Sequence, residues 1–202
     1  MRSVILGLAL AAVAALGAGP AVAFDLNPLS AIKGAVEAAV EDRSSSDIAK
    51  DLEIKAKLAA DVVDKMGTKV ISINADVYEQ DVMLTGVVDD ATVKDQAGQL
   101  AKSVDGVKTV HNEMMVIKPL EKKKGAVEGF VDDTVIESKI NALLLDASGV
   151  NVTNFRWRSV QGHVFLFGRA LSNAELKKAI EVVKGVKGVL SVTSRVKVRP
   201  NA

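Results

Sequence analysis

The sequence repeats itself. Residues 51–116 align without a gap to residues 133–198, 82 positions later, and the two stretches agree at 17 of 66 positions. The matches include Asp51/Asp133, Ile54/Ile136, Lys57/Lys139, Gly67/Gly149, Val82/Val164, Leu84/Leu166, Gly86/Gly168, Val104/Val186, Gly106/Gly188 and Val110/Val192. Ordinary composition would give roughly four by chance. So long a period, present only twice, means tandem domains, since solenoid units are shorter and need at least about three copies. Any fold must therefore serve twice, in modules of about 70 residues, each large enough for a helix-on-sheet core. With 49% apolar and 25% charged residues the chain is globular rather than disordered.

The apolar pattern inside each copy alternates between two periods. Ile54, Leu58 and Val62 recur at helical spacing up to Gly67, and Ile136, Ile140, Leu143 and Leu144 do so before Gly149. Strand-like alternation follows over Val70–Val77 and Val82–Gly86, and over Val152–Trp157 and Val164–Gly168. The turns fall at Glu79-Gln80 and Gln161-Gly162. Because the first turn has Gln80 where the second has Gly162, the two turns are expected to differ. Asp90 and Ser172 stand at N-cap positions of a second helix, and Ser172 with Glu175 completes a capping box. Val93, Ala97, Leu100 and Ala101, then Leu176, Ala179, Ile180 and Val183, face a core; Gly106 and Gly188 close these helices before a last strand. The order is αββαβ, twice. The expected class is α+β, two helices on one face of a small three-stranded mixed sheet, with the other face free. The cores are led by Ile54, Leu58, Val82, Leu84 and Leu100, and by Ile136, Ile140, Val164, Leu166 and Ile180. Gly86 and Gly168 are read as strand ends.

The segments around the repeats carry their own signals. Met1–Ala23 has Arg2, an apolar run from Val4 to Leu16 and the small-residue pattern Ala21-Val22-Ala23 before Phe24, the layout of a secretory signal cleaved after Ala23. The chain has no cysteine, so disulfides, thiolate metal sites and lipoprotein acylation are excluded for this sequence. A periplasmic location is expected. Residues 24–46 include a helical stripe of Leu29, Ile32, Val36, Ala39 and Val40, which either packs on a module or lies on a membrane or partner. The modules are assigned to residues 47–118 and 129–200, with a linker over 119–128 that carries Pro119 and Lys122 to Lys124. Charge divides them: 9 basic and 13 acidic side chains in the first, 11 basic and 6 acidic in the second. Such an asymmetry selects partners without changing the fold.

Two blocks found at matched spacing in both copies carry a family resemblance. These are Val82-Met83-Leu84-Thr85-Gly86 with Val104-Asp105-Gly106-Val107-Lys108-Thr109-Val110, and Val164-Phe165-Leu166-Phe167-Gly168 with Val186-Lys187-Gly188-Val189-Leu190-Ser191-Val192. The twin modules resemble BON domains, a bacterial family named for osmotically induced and nodulation-related proteins. The resemblance implies a periplasmic protein of envelope maintenance under osmotic or other stress, acting on outer-membrane integrity by binding phospholipid surfaces or envelope proteins. In lipid-binding members an aromatic residue near the start of the second module's first helix contacts the membrane. Val135 stands there in this chain, with Phe130 upstream.

The chemistry of the remaining residues favours binding over catalysis. His111 and His163, the only imidazoles, sit apart from any paired motif. Asp89/Asp90 and Asp132/Asp133 lie at helix starts, where capping and dipole compensation account for them. No catalytic residue, metal or cofactor is expected, and a neutral exported chain without a basic aromatic groove excludes nucleic acid. The candidate surface lies in the second module. Alternation sends Arg156 and Arg158 to the face opposite Phe155 and Trp157, the side left uncovered by helices. Arg169, Lys177, Lys178 and Lys184 add charge for anionic lipid headgroups, while Phe130, Val131, Val135 and Lys139 form an apolar lip. Trp157 is read as core. The acidic first module is expected to contact a protein or the second module. The competing reading is a protein-interaction adaptor or chaperone-like factor without lipid affinity.

Overall fold

A computed structural model describes residues 42–67, 73–117 and 132–199, and the fold is that of these residues. Ser44 starts the first module by accepting the Asp47 N–H on its Oγ at 3.1 Å, and helix α1 (Ser45–Met66) follows. Its core stripe, Ile54, Leu58, Val62 and Met66, repeats every four residues on one face and is buried against the sheet. Strands β1 (Ile73–Tyr78) and β2 (Asp81–Val88) form an antiparallel hairpin. Helix α2 (Ala91–Ser103), capped by Asp90 at the Thr92 N–H (2.7 Å), crosses over to β3 (Thr109–Asn112) and β4 (Met115–Val116), both parallel to β2.

The second module repeats this with α3 (Asp133–Asp146), β5 (Phe155–Val160), β6 (His163–Ala170), α4 (Asn173–Lys184) and β7 (Ser191–Val198). The duplication extends to register: Asp81 faces Thr109 and His163 faces Ser191, each residue moved by 82. Both modules are α+β; the second has the expected αββαβ order on three strands, and the first follows it with the last strand divided into β3 and β4, four strands in all. In the first core Ile54, Leu58, Val82, Leu84 and Leu100 are buried, and in the second Ile136, Ile140, Val164 and Leu166 are, with Ile180 packed at the edge. Truncating a fully buried leucine such as Leu58 to alanine costs about 2–5 kcal/mol in such a core.

The strictest shared device is a carboxylate that grips the hairpin turn. Asp51 accepts the backbone N–H groups of Glu79 (2.8 Å) and Gln80 (2.7 Å), and Asp133 accepts those of Gln161 (2.7 Å) and Gly162 (2.9 Å). All four turn residues have positive φ, 53° and 66° in the first module, 52° and 79° in the second. Left-handed dihedrals at both central residues match the twist of a two-residue hairpin. The two turns are thus alike, contrary to the sequence expectation. Gln80 tolerates the conformation because Asp51 binds its N–H and its Nε2 (3.1 Å). Asp132 caps α3 at the Val135 N–H (3.2 Å), so only the first of the Asp132/Asp133 pair is a cap.

Two other expectations are corrected. Gly86 and Gly168 lie inside β2 and β6, opposite Ile73 and Phe155, rather than at strand ends. Gly168 has φ 108°, and a Cβ there would stand 2.1 Å from the Asn154 carbonyl oxygen, so the backbone leading into β5 comes too close for any side chain. Val152–Asn154 forms a short 3-10 turn instead of the start of β5. The larger correction concerns the sheet face expected to be free. It is covered by the other module, and the two sheets meet back to back between outer layers of helices.

Candidate functional site

The interface between modules grows out of strand alternation. On β2, Val82, Leu84 and Val88 point to the helices, which sends Met83 and Val87 to the other side; on β6, Val164, Leu166 and Ala170 do the same and leave Phe165 and Phe167. Tyr78, Met83, Val160, Phe165 and Phe167 form one buried cluster, joined by Val87 and Met115. Tyr78 meets Phe167 edge-on, with ring centroids 6.5 Å apart.

Ion pairs ring this cluster, anions from the first module and cations from the second. Arg158 donates from Nε (2.8 Å) and an Nη (3.0 Å) to the two oxygens of Asp76. Arg169 reaches Glu79 at 2.5 Å, Arg195 reaches Glu113 at 2.6 Å, and Lys197 pairs with the buried carboxylate of Asp81. Although burial raises the Asp76 pKa, the charge and hydrogen bonds of Arg158 leave it below the ordinary carboxylate value. Asp42 is held from the second module as well: its N–H bonds Asn154 Oδ1 (3.2 Å), and Arg169 and Arg199 pair with its carboxylate at 3.5 Å and 3.1 Å. Arg43, paired with Asp51, lies 3.8 Å above the Tyr78 ring, and Arg156 approaches that ring to 5.5 Å. The charge asymmetry of the modules is in large part the complementarity of this contact.

The candidate residues therefore separate. Alternation places Arg156 and Arg158 opposite Phe155 and Trp157 as expected, but that side is the module interface, and Arg169 faces it too. Trp157 packs against the second core and donates its Nε1–H to the Glu137 carbonyl at 3.2 Å. Glu137 also accepts the Ser159 N–H at 2.8 Å, and burial raises its pKa. Phe130 and Val131 lie outside the described residues. Val135 and Lys139 are exposed on α3, and Lys177, Lys178 and Lys184 are exposed on α4, which packs beside it. Sequence reasoning missed Leu143 and Leu145 as surface residues: they are 46% and 64% exposed, on opposite flanks of α3. It also missed the interface cluster. The unbroken apolar runs Val82–Leu84 and Val164–Phe167 were its signal, because a strand buried on both faces loses its alternation.

The imidazoles and capping carboxylates have structural partners. His111 meets the Phe167 edge at 6.1 Å, and burial lowers its pKa. His163 Nδ1 lies 2.7 Å from Ser191 Oγ. Glu175 receives the N–H groups of Asn151 (2.7 Å) and Leu171 (2.5 Å), so its carboxylate ties two loops together while Ser172 caps α4 at the Glu175 N–H. Among the described residues no cluster of three or more His, Cys, Asp or Glu is placed to hold a metal, and no helix is long and apolar enough to cross a membrane.

The family model described as "BON domain" matches twice, at residues 50–118 and 132–200. The chain belongs to the BON-domain family. Osmotically-inducible protein Y of Escherichia coli (strain K12) is 32% identical to this BON protein over 149 residues, 74% of this chain and 73% of that one. The 21 kDa hemolysin of Actinobacillus pleuropneumoniae is 27% identical over 167 residues, 83% of this chain and 76% of its own. The outer membrane lipoprotein DolP of Haemophilus influenzae is 29% identical over 120 residues, 59% of each chain. The matched intervals coincide with the two helix-on-sheet units, so the interface described above joins one BON module to the other.

Proposed function

We propose that this chain is a non-enzymatic periplasmic protein of envelope maintenance under stress, and that the outer helical face of its second BON module rests on anionic phospholipid. One observation carries the reading: Val135, Leu143 and Leu145 are exposed on α3 while the neighbouring α4 exposes Lys177, Lys178 and Lys184. Apolar side chains beside lysines suit the boundary between acyl chains and headgroups, and each lysine near an anionic surface adds about 1 kcal/mol. Arg156, Arg158 and Arg169 act indirectly, by holding the modules together behind that face. The names of the relatives, an osmotically inducible protein and an outer membrane lipoprotein, support the envelope setting, and the export signal over residues 1–23 supplies the route.

Co-sedimentation with vesicles tests the reading. Binding to vesicles of phosphatidylglycerol should exceed binding to phosphatidylcholine and fall with salt. Val135→Asp with Leu145→Ser should abolish it, and Lys177→Glu with Lys178→Glu should weaken it. Equal binding to both vesicles, or none, favours the second reading, a protein-docking face. The use of five cationic side chains of the second module on the first module lends that reading its support.

A further inference from the structure

Strand β7 is the outer strand of the second sheet, and among the described residues no strand pairs with its far side. Its ladder to β6 uses alternate residues, so the N–H and C=O groups of the others point away from the sheet. The Arg199 N–H, which bonds the Ala170 carbonyl at 2.8 Å, sets the phase: odd-numbered residues bond inward, and Val192, Ser194, Val196 and Val198 offer their backbone outward. Val196 shows the consequence, since its N–H bonds the Ser194 Oγ of its own strand at 3.3 Å rather than a carbonyl of β6.

On the helix side of that edge, Val192 and Val196 pack at the margin of the second core, as Leu176 and Ile180 do from α4. All four are half-buried rather than buried, so an open apolar groove runs between α4 and the edge of β7. The repeat supplies the contrast. The counterparts of Leu176, Ile180, Ser194 and Val196 are Lys94, Gly98, Asn112 and Met114. There Asn112 donates its Nδ2 to the Lys94 carbonyl at 2.7 Å, and it sits so close over Gly98 that an added Cβ would stand 2.6 Å from that nitrogen. Met114 is buried, and the strand is divided into β3 and β4. One module staples its helix to its edge strand; the other leaves the same place apolar and open.

We propose that this groove takes an extended segment of another protein, which adds to the edge of β7 as a further strand. Strand addition draws affinity from main-chain hydrogen bonds and specificity from alternate side chains. The two faces of β7 define what the guest carries. Its side chains on the helix side meet Leu176, Ile180, Val192 and Val196, which calls for apolar residues. Those on the other side lie beside Arg195, Lys197 and Arg199, which keep 44%, 53% and 58% of their side chains exposed despite their partners in the first module. No acidic residue stands on β7, and opposite charges on neighbouring strands attract. The fitting guest therefore alternates apolar and acidic residues. The groove does not depend on the lipid reading, since it asks nothing of α3.

The probe is a fluorescein-labelled octapeptide alternating valine and glutamate, matched to the 8 residues of β7 and added to the mature full-length protein without lipid. Fluorescence anisotropy should show saturable binding, weaker by about tenfold or more for an octapeptide alternating valine and lysine. Ser194→Pro removes an outward N–H and leaves the ladder to β6 in place. It should weaken binding by about tenfold with the circular dichroism preserved. Amide hydrogen exchange of the unaltered protein needs no variant: the valine-glutamate peptide should slow exchange at Val192, Ser194, Val196 and Val198 and leave β1 unchanged. If Ser194→Pro unfolds the module, that exchange pattern decides alone. Absence of saturable binding, equal binding of the two peptides, full binding to a folded Ser194→Pro protein, or protection at β1 in place of β7 would each overturn the proposal.

Discussion

Asp76 and Arg158 occupy the same position in the two repeats and are each other's partner across the module interface, two hydrogen bonds of 2.8 and 3.0 Å joining one carboxylate to one guanidinium. Glu113 and Arg195 repeat the relationship, and Met83 and Phe165, also equivalent, share the cluster between them. Contacts between equivalent residues place an approximate two-fold axis through the interface, so the chain is arranged like a dimer of its own halves. Removing one partner of so buried a pair leaves the other charge uncompensated. Arg158→Met should therefore destabilise the folded chain by about 3 kcal/mol, and adding Asp76→Leu should restore most of that loss. Urea unfolding of the two variants checks both values.

Replacing the turn-gripping carboxylates removes acceptors from two backbone N–H groups at once. Asp51→Ala and Asp133→Ala should each cost about 2–3 kcal/mol by thermal or urea denaturation. A gain is expected from Gln161→Asn, since asparagine accepts the left-handed conformation at φ 52° more readily, and it should stabilise by about 0.5 kcal/mol.

Glycines with similar dihedrals should respond unequally. Gly149 has φ 82° with no atom within 4 Å of an added Cβ, so Gly149→Ala should cost about 1–2 kcal/mol from backbone conformation alone. Gly168→Ala adds the clash with the Asn154 carbonyl and should exceed 3 kcal/mol or block folding, measured by the same denaturation curve or by soluble yield.

Acid should loosen the interface from the His111 side. Burial, reinforced by Arg195 and Lys197 and opposed by Asp81 and Glu113, depresses its pKa below 6.5 in the folded protein. A depressed histidine leaves the folded state binding fewer protons than the unfolded one, so stability is present above pH 6.5 and falls as pH drops through it. Asp76, depressed as well, adds a loss of the same sign in the carboxylate range, whereas Glu137, raised by burial, loses its contribution as pH rises above 4.5. The unfolding free energy should decline between about pH 7 and pH 5.5, and His111→Gln should flatten that slope.

How much of this the sequence revealed depended on the range of the interaction. The αββαβ order, the cores led by Ile54 and Ile136, and the caps at Asp90 and Ser172 follow from periodicities and cap residues within about twenty positions, and they were legible twice over. The direction of Arg156 and Arg158 was legible too, from alternation alone. Their partners were not, because Asp76 is 82 residues away and a strand pattern says which side a residue faces without saying what covers that side. The same limit hid the carboxylate role of Asp133, which local spacing presented as a helix cap. The surface position of Leu143 and Leu145 was hidden because a helix rich in leucine offers more than one face as core.

The near-symmetry of the interface determines which pairings it permits. Matching two first modules through this face would set Asp76 against Asp76 and Glu113 against Glu113, and matching two second modules would oppose Arg158 to Arg158 and Arg195 to Arg195. Either homotypic pairing brings like charges together on the axis. The opposite charges of the acidic and the basic half thus act as a key: each half recognises its sibling and rejects its twin.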